Sequence, residues 1–188
     1  MSNMGNWDDY WKKATEPKVA KQIVEQEQEG DTTYKLAASW LWDCQEVEDW
    51  GCGLGPFKSF CNPNTQYIGI DGSQTSIVNR IVDLETYTSS VEGLLIRHVL
   101  EHNYEWRKIL ENALRSFTKR FCLVLFTPFS SGGTQQLAFW EHVGRGVPDL
   151  SLSREEIVSL FSGMSWTSQE YIPTRTQYGI EHVFFVER

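Results

Sequence analysis

No run in the 188-residue chain approaches the roughly 18 consecutive apolar residues that a membrane-spanning helix needs, so no membrane partner is expected. Residues 1–10 lack the charged-then-apolar layout of an export signal, and the expected location is the cytoplasm. The four cysteines, Cys44, Cys52, Cys61 and Cys122, form no C-x-x-C, and reduced thiols fit their spacing better than a disulfide framework. Internal repeats and low-complexity segments are absent as well. Positive charge is scarce: 17 Lys+Arg face 25 Asp+Glu, a net of −8. That balance lacks the field used in non-specific nucleic-acid binding and leaves such a partner only a local basic groove. What the chain does have is 40% hydrophobic residues and eight Trp, enough for the core of one folded domain at this length.

The order of periodic segments organises that domain. Residues 7–29 are polar, with Trp7, Tyr10 and Trp11 at spacings of three and four, which reads as an amphipathic helical arm. Asp31 is placed to cap a second helix running through Trp42. Residues 1–44 are therefore expected to form a helical arm or cap packed on a core of residues 45–188. From Gln45 onward, short apolar runs alternate with Gly, Pro, Asp and helical patterns, the texture of alternating strands and helices. Strands are predicted at 47–50, 66–70, 93–97 and 121–126. Between the last two, Trp106, Ile109, Leu110, Ala113, Leu114 and Phe117 mark a helix packed on a sheet, and such a crossover implies parallel neighbours. Ser153-Arg-Glu-Glu156 reads as a capping box, and 166–172 with 179–186 as a closing antiparallel pair.

Glycine at alternate positions marks the sharpest motif, Val47-Glu-Asp-Trp-Gly-Cys-Gly-Leu-Gly55, directly after a predicted strand and before a helix expected near Pro56. Such a turn lets a ligand approach the backbone closely, and a following helix would present bare amides to it. Pro56 stands where a dinucleotide fingerprint would place its third glycine, which argues against NAD or FAD. Asp71 ends the next strand, where an acid can accept both hydroxyls of a ribose. A glycine turn alone is common, and an Asp after a strand is more often a cap than a ligand. Their order and spacing together point to a ligand carrying a nucleoside.

These residues resemble the class I S-adenosylmethionine-dependent methyltransferase family, in its small stand-alone, phage-type form. Asp49-x-Gly51-x-Gly53-x-Gly55 is similar to the first family motif, and Ile68-Gly-Ile-Asp71-Gly-Ser73 to the second. Ile81-Val-Asp83-Leu84 occupies the place of the third, and Arg97-His-Val-Leu-Glu-His102 resembles the segment after the fourth strand. The resemblance implies a Rossmann-like, doubly wound α/β fold: a mostly parallel seven-stranded sheet with a C-terminal antiparallel hairpin. It implies S-adenosylmethionine as cofactor and S-adenosylhomocysteine as product. Asp49 and the turn of Gly51, Cys52, Gly53 and Gly55 would hold the methionine end. Asp71, with Gly72 and Ser73, would hold the ribose, and Asp83 with the Leu84 backbone the adenine. Arg97 and His98 would complete the cofactor contacts. Only eleven residues separate Asp71 from Asp83, too few for the family's usual helix between those strands.

Methyl transfer from a sulfonium chiefly needs nucleophile, carbon and sulfur held in line and dry, with a base only where the acceptor is protonated. His98 and His102 are the candidate catalytic residues for that proton. His98-Val-Leu-Glu-His102 also matches an inverted zinc-peptidase motif, but that needs a continuous helix, and His98 follows a predicted strand. Glu101, His102 and His142 loosely resemble metal-assisted RNA 2′-O-methyltransferases, with His98 where that family has an acid; no metal is expected. The long connection from Ser130 to Leu150, bearing Phe139, Trp140, His142 and Arg145, is a candidate lid over the acceptor. The family's Pro-Pro-aromatic run for amino-methylated nucleic acid and its Pro-Cys nucleophile are both missing. The expected function is methyl transfer to an oxygen or nitrogen of a small-molecule acceptor. The alternatives are a non-catalytic cofactor-binding regulatory module, the RNA 2′-O-methyltransferase and a zinc hydrolase.

Overall fold

The computed structural model describes residues 32–141 and 146–188. The arm expected over residues 1–31, with its aromatic residues and the cap Asp31, lies outside the described residues, as do His142 and Arg145. The first element is helix α1 (Thr32–Trp40). Strand β1 (Glu46–Trp50) leads into the glycine turn and a single 3-10 turn, Pro56–Phe60. Then come β2 (Gln66–Asp71), β3 (Val78–Ile81) and β4 (Val91–Arg97). A 3-10 turn, Leu100–His102, and helix α2 (Trp106–Ser116) lead into β5 (Phe117–Leu125). Strands β6 (Gln135–Glu141) and β7 (Gly146–Ser151), helix α3 (Arg154–Leu160), β8 (Ser165–Pro173) and β9 (Ile180–Glu187) complete the chain.

Seven strands form one sheet in the order β3-β2-β1-β4-β5-β9-β8, and β6 and β7 form a separate two-stranded sheet. The pairs β3·β2, β2·β1, β1·β4 and β4·β5 are parallel; β9 runs antiparallel to both β5 and β8. This is the expected doubly wound, mostly parallel sheet with its terminal hairpin.

The apolar runs of β4, β5 and β9 are continuous because both sheet faces are covered. Leu94, Ile96, Phe121, Leu123, Phe184 and Val186 share one core with Trp106, Ile109, Leu110 and Ala113 of α2 and Ile157 of α3. Leu95, Cys122, Val124, Val183 and Phe185 alternate onto the other face, against Tyr34, Ala37 and Ala38 of α1. The described part of residues 1–44 is thus built into the core. Ser153 caps α3 as expected, its Oγ accepting from the Glu156 amide at 3.3 Å. Phe117, expected to end the α2 stripe, is instead the first residue of β5, because the chain passes from helix to strand without a loop.

Two connections differ from the sequence-based expectation, the one after the glycine turn and the one after β5. The helix near Pro56 is reduced to one 3-10 turn, since Pro63 in the Asn62–Thr65 turn stops any extension before β2 must begin. Residues 72–77 join β2 to parallel β3 with no helix, as the short spacing from Asp71 to Asp83 implies. The long connection after β5 is a β-hairpin, and the exposed side chains of Gln135, Gln136 and Leu137 gave it no core-facing pattern to read. No described helix is long and apolar enough to cross a membrane.

Phe184 is fully buried between Phe161 at 5.8 Å, Phe129 at 6.1 Å and Trp166 at 6.3 Å, joining α3 to the sheet. Phe184→Ala is expected to cost about 3–5 kcal/mol in urea unfolding, with unchanged m-value.

Candidate functional site

Strand order reverses between β1 and β4, and in such sheets ligands bind beyond the carboxyl ends of the strands at that crevice. The glycine turn leaves β1 there. Gly51, Gly53 and Gly55 all have left-handed backbone, with φ of 75°, 54° and 68°. A Cβ on Gly51 would stand 2.3 Å from Val99 Cγ2, and one on Gly55 2.5 Å from Ile77 Cγ1. Only glycine satisfies both the conformation and the space.

The amides of this turn face inward. Those of Gly51 and Cys52 donate to the Ile70 carbonyl at 2.7 and 3.1 Å, and that of Gly55 to the Cys52 carbonyl at 2.7 Å. The Gly53 amide donates to Asp71 Oδ2 at 2.9 Å, while Asp71 Oδ1 accepts from the Ser73 amide at 2.9 Å. The expected bare amides and helix N-terminus are therefore not what the turn offers. A ligand meets close-packed backbone flanked by two buried acids, Asp71 and Asp49, the latter accepting from Tyr67 Oη at 2.8 Å. Such a surface is short of donors for a phosphate and suits a cation. Ser73 Oγ is buried with no hydrogen-bond partner, an orphaned hydroxyl beside Asp71 that fits a polar ligand there. Cys52 is buried behind the turn, and desolvation followed by the nearby Asp49 pushes its thiol far up, so it is inert.

Other candidates are placed as follows. Asp83 closes a turn, its Oδ1 accepting from the Glu85 amide at 3.0 Å, and the Leu84 carbonyl accepts from Asn112 of α2 at 2.9 Å. Gly72 has room around it, with only the Val82 carbonyl 3.7 Å from an added Cβ. The Arg97 guanidinium holds α1 and β9 together: it donates to Glu181 Oε1 and Tyr34 Oη at 2.9 Å each and lies 4.0 Å over the Tyr34 ring.

His98 takes a left-handed φ of 57° at the end of β4, and Leu100–His102 is a 3-10 turn. The continuous helix required by the zinc-peptidase motif is thus absent, and the described residues hold no cluster of metal-ligating side chains. The RNA-type alternative invokes His142, outside the described residues. His98 Nε2 lies against Glu181 Oε1, and its ring packs 4.8 Å from Phe126. Burial, reinforced by Arg97, lowers the His98 pKa to about 4.

Sequence reading missed three groups here, Glu181, Asp149 and His182, and took a fourth, Glu101, only as part of the metal-type motifs. Glu181, 0% exposed, binds Arg97, His98 and Thr33 Oγ1; burial would raise its carboxyl, but those partners more than offset this and lower it. Glu101 is also 0% exposed; its Oε1 accepts from the Phe126 amide at 2.6 Å, its Oε2 has no partner, and burial raises its pKa to about 7. Asp149 of β7 joins His102 to the hairpin. His182 accepts from the Tyr171 amide, stacks 4.0 Å from Phe129, and is pushed by burial to about 4. The one available signal was polarity inside apolar runs, as in Ile180-Glu-His-Val-Phe-Phe185.

The fold is that of class I S-adenosylmethionine-dependent methyltransferases. No protein-family model matches the sequence, and no curated protein matches it. Solved structures do. A complex of DhpI with SAM and HEP has a TM-score of 0.64 at 14% identity, covering 96% of this chain and 95% of that one. The Burkholderia thailandensis 1,6-didemethyltoxoflavin-N1-methyltransferase, bound to 1,6-didemethyltoxoflavin and S-adenosylhomocysteine, has a TM-score of 0.61 at 14% identity over 89% and 85% of the two chains. The Synechocystis magnesium protoporphyrin IX methyltransferase with bound SAH gives 0.59 at 15% over 88% and 84%.

The buried titratable groups set a pH dependence with two opposed arms. His98 and His182 have folded values near 4 against 6.5 when free, so the unfolded chain binds protons first. Their contribution is full above about pH 6.5 and is lost as pH falls toward 4. Glu101 is raised from 4.5 to about 7, so the folded state holds the proton longer, and stability is lost as pH rises through that window. In thermal melts, His182→Asn, which keeps an acceptor for Tyr171, is expected to flatten the acid arm. Glu101→Gln, which keeps the acceptor for Phe126, is expected to flatten the other.

Proposed function

We propose that the chain is an S-adenosylmethionine-dependent methyltransferase acting on an oxygen or nitrogen of a small-molecule acceptor. The observation that carries this reading is the left-handed glycine turn closed by Asp71 at the switch point of the sheet. A donor-poor, acid-flanked crevice suits a nucleoside bearing a sulfonium and an ammonium better than a dinucleotide with its phosphates. Neighbours of the same fold are solved with SAM or SAH, and two are methyltransferases named for small-molecule acceptors. When bound, the cofactor supplies an electrophilic methyl group on a sulfur that leaves as a neutral thioether.

In this reading the backbone of Gly51 to Gly55, with Cys52 behind it, and Asp49 receive the methionine end. Asp71, Gly72 and Ser73 receive the ribose. Asp83 and Leu84 border the adenine. Arg97 acts at one remove, fixing the end of β4 from which His98 and His102 face the acceptor side. The family's usual helix after the glycine turn is replaced by internal hydrogen bonds, so Asp71 both shapes the turn and binds the sugar.

S-adenosylhomocysteine at a hundred times its Kd is expected to raise unfolding stability by about 2.7 kcal/mol. Asp71→Ala should lower the ligand-free melting temperature and remove most of the ligand-dependent increment. No increment for the wild-type protein at saturating ligand overturns the reading.

A further inference from the structure

Just past the ends of β4 and β5, two elements outside the main parallel core converge on one carboxylate. Asp149 lies on β7 of the hairpin and is 1% exposed. Its Oδ2 accepts from Trp140 Nε1 of β6 at 2.8 Å and from Tyr178 Oη of the β8–β9 turn at 3.0 Å. Its Oδ1 lies 3.3 Å from His102 Nδ1, and the same nitrogen is 3.0 Å from the Pro148 carbonyl. A carbonyl oxygen can only accept, so Nδ1 must carry the proton. The neutral ring then has its lone pair on Nε2. The rings of His102 and Tyr178 flank Phe126 at 5.3 and 5.8 Å, just past the end of β5.

We propose that Asp149 is a positioning residue that fixes His102 as the Nδ1-protonated tautomer, so that His102 Nε2 receives the acceptor's proton during methyl transfer. The inference rests on the methyltransferase reading above and assigns the proton to His102 rather than His98. His98 is set against Glu181 and held neutral by burial, whereas His102 has a second acceptor built for its charged form. Burial alone would lower His102, but the hydrogen bonds to Asp149 and to the Pro148 carbonyl outweigh it and raise the pKa. The groups acting on the ring are Asp149 from β7, Glu101 and His98 from its own segment, and Tyr178 through Asp149. In the transfer, the acceptor atom forms its bond to the methyl carbon, and the sulfur keeps the electron pair of the bond that breaks. The proton lost by the acceptor ends on Nε2, and the resulting imidazolium is stabilised by Asp149 until solvent takes the proton. Because Asp149 also latches Trp140 and Tyr178, the base is oriented only when the hairpin and the β8–β9 turn are seated.

The test is an NMR titration of the full chain, with the His102 imidazole signal assigned by its loss in His102→Gln. The neutral ring of the wild type should show the Nδ1–H tautomer in its ¹⁵N shifts. Asp149→Asn should lower the titration midpoint by about 1 pH unit. Trp140→Phe, which removes a donor but leaves the carboxylate, should keep the midpoint near that of wild type. S-adenosylhomocysteine should move the His102 signal. An Nε2–H tautomer, a midpoint unmoved by Asp149→Asn, or a His102 signal untouched by a ligand that does raise the melting temperature overturns the proposal while leaving the methyltransferase reading intact. If the ligand fails to stabilise the protein at all, it is the underlying reading that falls.

Discussion

The carboxylate of Asp71 is the interaction on which the carboxyl edge of β1 and β2 depends. One oxygen accepts from the Gly53 amide and the other from the Ser73 amide, so a single side chain fixes the turn after β1 and the turn after β2 against each other. Three left-handed residues within five positions would otherwise leave a run of unpaired amides. Here the Ile70 and Cys52 carbonyls and Asp71 take those of Gly51, Cys52, Gly53 and Gly55. The turn therefore holds its shape without a helix behind it. That explains how the chain manages with a 3-10 turn after β1 and a six-residue link after β2.

A second constraint acts at the other end of the same edge. Glu181, the second residue of β9, gathers Thr33 and Arg97, with His98 against it, joining α1, β4 and β9. Desolvating charges costs several kcal/mol per ion, and such a cluster repays this only with good geometry. Its two oxygens do have such partners, at 2.9 Å from Thr33 Oγ1 and 2.9 Å from Arg97 Nη2. The structural consequence is placement. The left-handed His98 and the 3-10 turn after it start from a strand end that cannot shift without breaking these contacts, which fixes where His102 meets the hairpin.

The sheet was legible because burial on both faces forces continuous apolar strands, and α2 because a helix on a sheet must carry an apolar stripe. The glycines were legible for a local reason: the left-handed conformation they adopt is available to few other residues, so composition records it, whereas Asp71 was legible from its place at the end of β2. The role of the amides was not legible, since whether a turn's donors face a ligand or the protein depends on where the Ile70 carbonyl comes to lie. The β6–β7 hairpin escaped for a different reason. Its Gln, Leu and Phe side chains are largely exposed and Pro148 occupies β7, so neither alternation nor strand propensity marked it. Asp149 and Glu181 were hidden because partners of each are distant in sequence: His102 and Tyr178 for one, Arg97 and Thr33 for the other.

The charges along this edge bear on the chemistry. Net charge is −8, and Asp49, Asp71, Glu101, Asp149 and Glu181 are all buried near the carboxyl ends of the strands. For a sulfonium donor, an acidic crevice favours the charged reactant over the neutral thioether it becomes, which assists exchange of product for fresh donor. Taken too far, it would slow the transfer, because the positive charge on sulfur disperses in the transition state and a bare carboxylate would hold the ground state harder. Asp71 and Asp49 avoid this by having oxygens already engaged, Asp71 by two backbone amides and Asp49 by Tyr67 Oη. Their charge is spread over donors of the protein itself before any ligand arrives. The same acidity works against an anionic partner along this edge.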